Sequence, residues 1–254
     1  MVQMGVSAMQ ITGRENYYYL TGDVRNVARL FLPQQGEPTI IVFDEEVEPA
    51  KDASGISDIR GWRNPAQLMA HFFTLVKQHS LSDKKVGFCV HTNPGFLVYK
   101  FLKSNPKMTV IENEEILMPQ RYVKTAEELA AMKRAAEAAD KGLAAAQAAI
   151  KPGVSEIEVA AEAEYAMRRA GAMRYASSTF VDSGPHSIWL HGGTSRRKIE
   201  NSDLVVVDVH PVVDMYANDC ARTFTCGPSS EEQRKLINLY REAQQGIIAQ
   251  IKPG

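Results

Sequence analysis

The chain has 254 residues, of which 44% are hydrophobic and 23% charged, and a formal net charge of −1. This is ordinary globular composition with room for two domains, and it lacks the excess positive charge that would capture nucleic acid. The apolar runs fall short of the roughly 20 residues a membrane helix needs, and Met1-Val2-Gln3-Met4-Gly5 shows no charged leader before an apolar run.

The first half alternates short strand-like and helix-like pieces. Pro38–Phe43 reads as a buried strand, because it is rich in β-branched residues and bounded by Gly36 and Asp44. Ala66–Ser80 carries Leu68, Met69, Phe72, Phe73 and Val76 at helical spacing, and Lys85–Val90 reads as another strand. Such alternation predicts an α/β unit. Cys89, Cys220 and Cys226 form no Cys-x-x-Cys pair, which is expected in a reducing, cytoplasmic setting without a disulfide framework.

The composition shifts near residue 121, where a domain boundary is expected, dividing residues 1–120 from 121–254. Thr125 with Glu128 makes a capping box that opens a long alanine-rich helix ending at Lys151-Pro152-Gly153. Ser155 with Glu158 opens a second helix, closed by Gly171. The arrangement recurs: a capping box at Ser229 and Glu232, a helix, then Ile251-Lys252-Pro253-Gly254 echoes Ile150-Lys151-Pro152-Gly153. Duplication is favoured over chance use of Pro-Gly stops. In the first copy the chain runs on into a helix and strands, so the second copy is expected to lack that remainder.

Residues 181–227 hold the chemistry. Leu204–His210 and Tyr216–Thr225 read as two strands joined by Pro211–Met215 as an antiparallel hairpin. Alternation puts Asp208 and His210 on one face, opposite Val207 and Val209. Asp219 falls within the second strand. Two buried carboxylates on neighbouring strands repel, and a divalent cation between them would resolve that cost. The plainer alternatives are an exposed strand end for Asp208 and a surface pair with Arg222 for Asp219. His210, beside Pro211, suits either turn packing or the lining of a site. His191 alone suits packing or solvent, and His186 suits ordinary loop chemistry. There is no Gly-x-Ser-x-Gly elbow and no phosphate-cradling loop.

His191-Gly192, then Asp208, then Asp219 followed by Arg222-Thr223-Phe224, resembles the signature of the pita-bread metallopeptidases. That group includes methionine aminopeptidase, Xaa-Pro aminopeptidase and Xaa-Pro dipeptidase (prolidase), with creatinase as a relative. Ile11-Thr12 and Asn16-Tyr17-Tyr18-Tyr19-Leu20-Thr21-Gly22 resemble the creatinase-type N-terminal domain, which favours the proline-specific members. The resemblance implies an α/β creatinase-like N-terminal domain and an α+β pita-bread domain whose C-terminal half is incomplete. It also implies hydrolysis of the bond before proline in a dipeptide or peptide, in a homodimer.

In that family two divalent metals, Mn²⁺ foremost with Co²⁺, Zn²⁺ or Fe²⁺ admitted, sit among two Asp, one His and two Glu. The resemblance makes Asp208 the ligand of one metal, Asp219 the bridge and His191 a substrate contact at the reacting centre. Val209-His210 and Met215 stand where the family has glycines, so the hairpin loop is expected to differ and His210 to reach the substrate region. The remaining His and both Glu are expected beyond Gly254, and a helix is expected before Gly5. On that expectation a polypeptide of these residues alone has little or no activity. Two rivals follow: a non-catalytic peptide-binding or assembly module of the same fold, and a creatinase-like C–N hydrolase working without metal. Retention of both Asp208 and Asp219 argues against each.

Overall fold

The computed structural model describes residues 1–89, 92, 95–190 and 192–253. The chain divides into two compact units, residues 1–124 and 125–254.

The first unit runs β1 (Ala8–Ile11), α1 (Arg14–Thr21), β2 (Arg29–Pro33), β3 (Thr39–Phe43), α2 (Val47–Ser54), β4 (Asp58–Trp62), α3 (Pro65–Gln78), β5 (Lys85–Phe88), α4 (Gly95–Ser104), β6 (Thr109–Glu112) and α5 (Glu114–Arg121). The strands form one mixed sheet in the order β4-β3-β2-β1-β5-β6. Both faces are covered, which is why β3 is apolar without alternation: Ile40 and Val42 enter one core with Tyr17, Leu30 and Leu117, while Ile41 enters another with Leu68, Leu75 and Phe88. The expected strand at Lys85–Val90 ends at Phe88, and Val90 lies outside the described residues.

The Asn-x-x-Tyr-Leu-Thr-Gly stretch is structural here. Asn16 donates to Glu114 at 2.8 Å and accepts from Arg121 at 2.8 Å. Gly22 ends α1 with φ 71°, a conformation that favours glycine. Buried Tyr17 donates its hydroxyl to Asp23 at 2.9 Å, and burial together with Asp23 pushes that phenol upward.

The second unit begins with α6 (Ala126–Ala149) and α7 (Glu156–Arg169), each opened by the expected capping box. β7 (Arg174–Tyr175), β8 (Phe180–Ser183), β9 (Leu204–Val209), β10 (Pro211–Val213), β11 (Tyr216–Ala217), β12 (Cys220–Thr225) and α8 (Glu231–Ile248) follow. Small residues let the two long helices approach closely: Met167 of α7 fills the space a Cβ on Gly142 of α6 would need. Behind them lies a core of Leu143, Val159, Met167, Val181, Val205, Val207 and Val209.

Two expectations are corrected. The third capping box joins Ser230 and Gln233, not Ser229 and Glu232. Both spacings are present, and the Gln233 side chain also donates to the Ser202 carbonyl at 2.8 Å, which selects this register. The single hairpin is instead two tiers. Each strand breaks once, at His210 and at Asn218-Asp219, giving one sheet β12-β9-β8 and another β11-β10-β7. Pro211 has no N–H for the ladder, and the Asn218 N–H instead caps the Pro211 carbonyl at 2.9 Å. The turn itself has positive φ at both Asp214 (48°) and Met215 (64°), as a two-residue type I′ connection demands. Among the described residues α8 buries no side chain.

Candidate metal centre

β9 alternates as its sequence predicts. Val205, Val207 and Val209 are buried toward the helices, so Asp208 stands on the opposite face, in register with Phe180 of β8 and Ala221 of β12. The Asp208 side chain is 28% exposed and Asp219 is 84% exposed. Thus the expectation of two buried carboxylates on adjacent strands fails for Asp219: the break in the strand places it at an open edge.

Asp208, His210 and Asp219 nevertheless converge, each offering a ligand atom within 4.8 Å of the others. His210 Nε2 lies 3.3 Å from Asp208 Oδ2 and 3.6 Å from Asp219 Oδ1. Nδ1 of the same ring lies 3.0 Å from the Ser178 carbonyl, which can only accept, so Nδ1 carries a proton. Phe180 packs edge-on against the ring at 5.7 Å between centroids. Among the described residues Asp208 Oδ1 and Asn218 Oδ1 are buried without a hydrogen-bond partner.

Oxygen and nitrogen donors, one carboxylate oxygen unsatisfied and an imidazole fixed by a backbone carbonyl, are the chemistry a divalent cation takes. The residues present therefore fit a metal. An open groove of about 750 Å³ lies near His210's anchor, walled by Ile157, Glu164, Tyr175, Ser178 and Thr194, with neither aspartate in its lining. The convergence of donors marks the site better than that groove does.

His191 lies outside the described residues; Ser183 and Ser195, before and after it in the chain, meet at one carboxylate. Glu156, fully buried in the first turn of α7, accepts from the Ser183 N–H (2.8 Å) and hydroxyl (2.7 Å), and from the Ser195 N–H (3.0 Å) and hydroxyl (2.6 Å). Burial alone would raise its carboxyl; these donors outweigh burial and hold it below the ordinary range. His186, read from sequence as ordinary loop chemistry, lies with Nδ1 3.1 Å from Glu156 and stacks on Trp189 at 3.9 Å. Gly192 closes against Asp182, whose carboxylate occupies the place of a Cβ there. Sequence reading missed Glu156, because its partners lie 27 and 39 residues away and only the capping glutamate, Glu158, has a local signature.

Residues 130–254 match metallopeptidase family M24, and residues 1–123 match the creatinase/prolidase N-terminal domain. The chain is 30% identical over its whole length to a Xaa-Pro dipeptidase of Pyrococcus horikoshii, covering 70% of that relative. A crystal structure of prolidase from Pyrococcus horikoshii superposes with a TM-score of 0.86 at 28% identity, over all of this chain and 70% of that one. A recombinant prolidase from Thermococcus sibiricus gives 0.89 at 27% identity with the same coverage. The fold is therefore a creatinase N-terminal domain followed by the pita-bread fold, and the chain spans about 70% of the length of these relatives.

Proposed function

We propose that this chain, a member of metallopeptidase family M24 with a creatinase/prolidase N-terminal domain, serves metal-dependent hydrolysis of the peptide bond before proline. The carrying observation is the meeting of Asp208, His210 and Asp219 at one point of a two-tiered sheet. The substrate is a Xaa-Pro dipeptide or the N-terminus of a longer peptide, and the working protein is a cytoplasmic homodimer.

Asp208 and Asp219 would hold the divalent ions, with Mn²⁺ suited to the oxygen-rich set. Bound there, such ions supply a water acidic enough to attack at neutral pH and positive charge for the developing oxyanion. The chain's own residues do the rest. The ladder between β9 and β12 fixes Asp208, while exposed Asp219 leaves one side open for substrate to enter. His191 contacts the substrate at the reacting centre, in the role the family resemblance gives it. Glu156 holds Ser183 and Ser195 together. His210 walls the site beneath Phe180.

Of the two Asp, one His and two Glu that the resemblance implies, this sequence matches the two Asp. A polypeptide confined to these residues should therefore turn over little substrate, since affinity and activity depend on a complete, preorganised shell. The test is hydrolysis of Ala-Pro against Ala-Ala by the whole product of the gene that encodes this sequence, with Mn²⁺ and after chelation. Selective Ala-Pro cleavage that chelation abolishes supports the reading. Equal rates after chelation, or no preference for proline, contradict it. Robust Mn²⁺-dependent cleavage by the 254-residue polypeptide would refute the statement about its incompleteness.

A further inference from the structure

We infer that His210 is itself a metal ligand, a third donor beside Asp208 and Asp219 at a position the family's ligand set leaves to glycine. The inference rests on the reading of the two aspartates as metal-binding, and it replaces a substrate contact for His210 with coordination.

The ring is not free to reach into a substrate cleft: its side chain is only 8% exposed. Its Nδ1 proton is committed to the Ser178 carbonyl at 3.0 Å. The other ring nitrogen is the one left to face the carboxylates. That nitrogen, Nε2, faces Asp208 Oδ2 and Asp219 Oδ1 at 3.3 and 3.6 Å. A divalent cation among these three atoms would take the ring nitrogen and both carboxylate oxygens as donors at once. Asp208 Oδ1, buried and unpartnered, supplies a second sign that something beyond the protein completes the site.

A backbone carbonyl holding one ring nitrogen while the other faces anionic oxygens is how proteins orient histidine ligands. His186 offers the contrast. Its Nδ1 meets a carboxylate already saturated by serines, and its ring stacks on Trp189, so no donor set converges on it.

The test uses the whole product of the gene that encodes this sequence, with ¹⁵N-labelled histidine. Zn²⁺ alone is titrated while long-range ¹H–¹⁵N spectra follow the ring nitrogens, and Co²⁺ binding is followed by visible absorption. The expected result is a metal-dependent shift of His210 Nε2 with Nδ1 still protonated, and a loss of Co²⁺ affinity of about tenfold or more in His210→Gln. The spectra of the unmutated chain decide the matter even if the variant misfolds. Metal binding that leaves the His210 nitrogens unmoved, a folded His210→Gln variant that binds as tightly, or no binding at millimolar Co²⁺ would overturn the inference. Asp219→Asn separates the two readings: unchanged Co²⁺ affinity there with a metal-dependent His210 shift would remove Asp219 from the ligand set and leave Asp208 and His210 as the donors.

Discussion

Glu156 and Ser195 lie 39 residues apart in the chain, and one oxygen of the Glu156 carboxylate accepts from both the backbone N–H and the hydroxyl of Ser195. The other oxygen does the same for Ser183, so residues 183 and 195 are drawn to one buried anion at the start of α7. The helix N-terminus there favours negative charge. Thr194 adds a second tie, accepting from the Val181 N–H at 2.9 Å and donating to the Thr179 carbonyl at 2.9 Å.

Glu156→Ala removes the acceptor of a buried pair of donors on Ser183 and a part-buried pair on Ser195. The expected loss is about 3–5 kcal/mol in the stability of the second unit, the range found when one partner of a buried charged network is removed. Urea unfolding followed by Trp189 fluorescence measures it. A loss under about 1 kcal/mol would mean that water replaces the carboxylate freely.

The pH dependence has a definite sign. Glu156 is held below its ordinary range, so its contribution is full above the unfolded carboxylate range and is lost as pH falls through the lower, folded value. Glu156→Gln should flatten acid unfolding in that window.

Asp182 behaves oppositely. Burial, then the neighbouring Glu156 charge, raise its carboxyl, with His186 opposing. A raised carboxylate costs stability while ionised and is relieved as pH falls through the folded value. Asp182→Asn should therefore raise Tm at pH 7, with the gain shrinking on acidification. A lower Tm at pH 7 would show that the charge is used.

Met215 sits at φ 64° yet is only 7% exposed. Glycine there would relieve about 1 kcal/mol of backbone strain but forfeit about 2–4 kcal/mol of buried side chain. Met215→Gly should be a net loss of about 1–3 kcal/mol by chemical denaturation. Stabilisation would show that the side chain packs poorly.

Much of this was legible in the sequence for local reasons. Capping boxes at Thr125 and Ser155 need only three residues of context, and the β9 alternation reports one buried face. The strand breaks at His210 and Asn218 were not read in advance, because they come from Pro211 giving no N–H to the ladder, and the residue it faces, Asn218, is set by the register across the hairpin. Asp219 falls in that break, and the slip of the last cap to Ser230 follows from the bond of Gln233 to Ser202, 31 residues from it. Glu156 was hidden for the same reason: nothing near it in sequence says that its carboxylate is buried.

The most direct measurement is metal content and Ala-Pro turnover of Asp219→Asn in the whole gene product, compared with the unmutated protein. The account predicts that bound Mn²⁺ falls and turnover drops by about a hundredfold or more, because an amide oxygen cannot replace a carboxylate ligand's charge. Unchanged metal content together with unchanged turnover would contradict it.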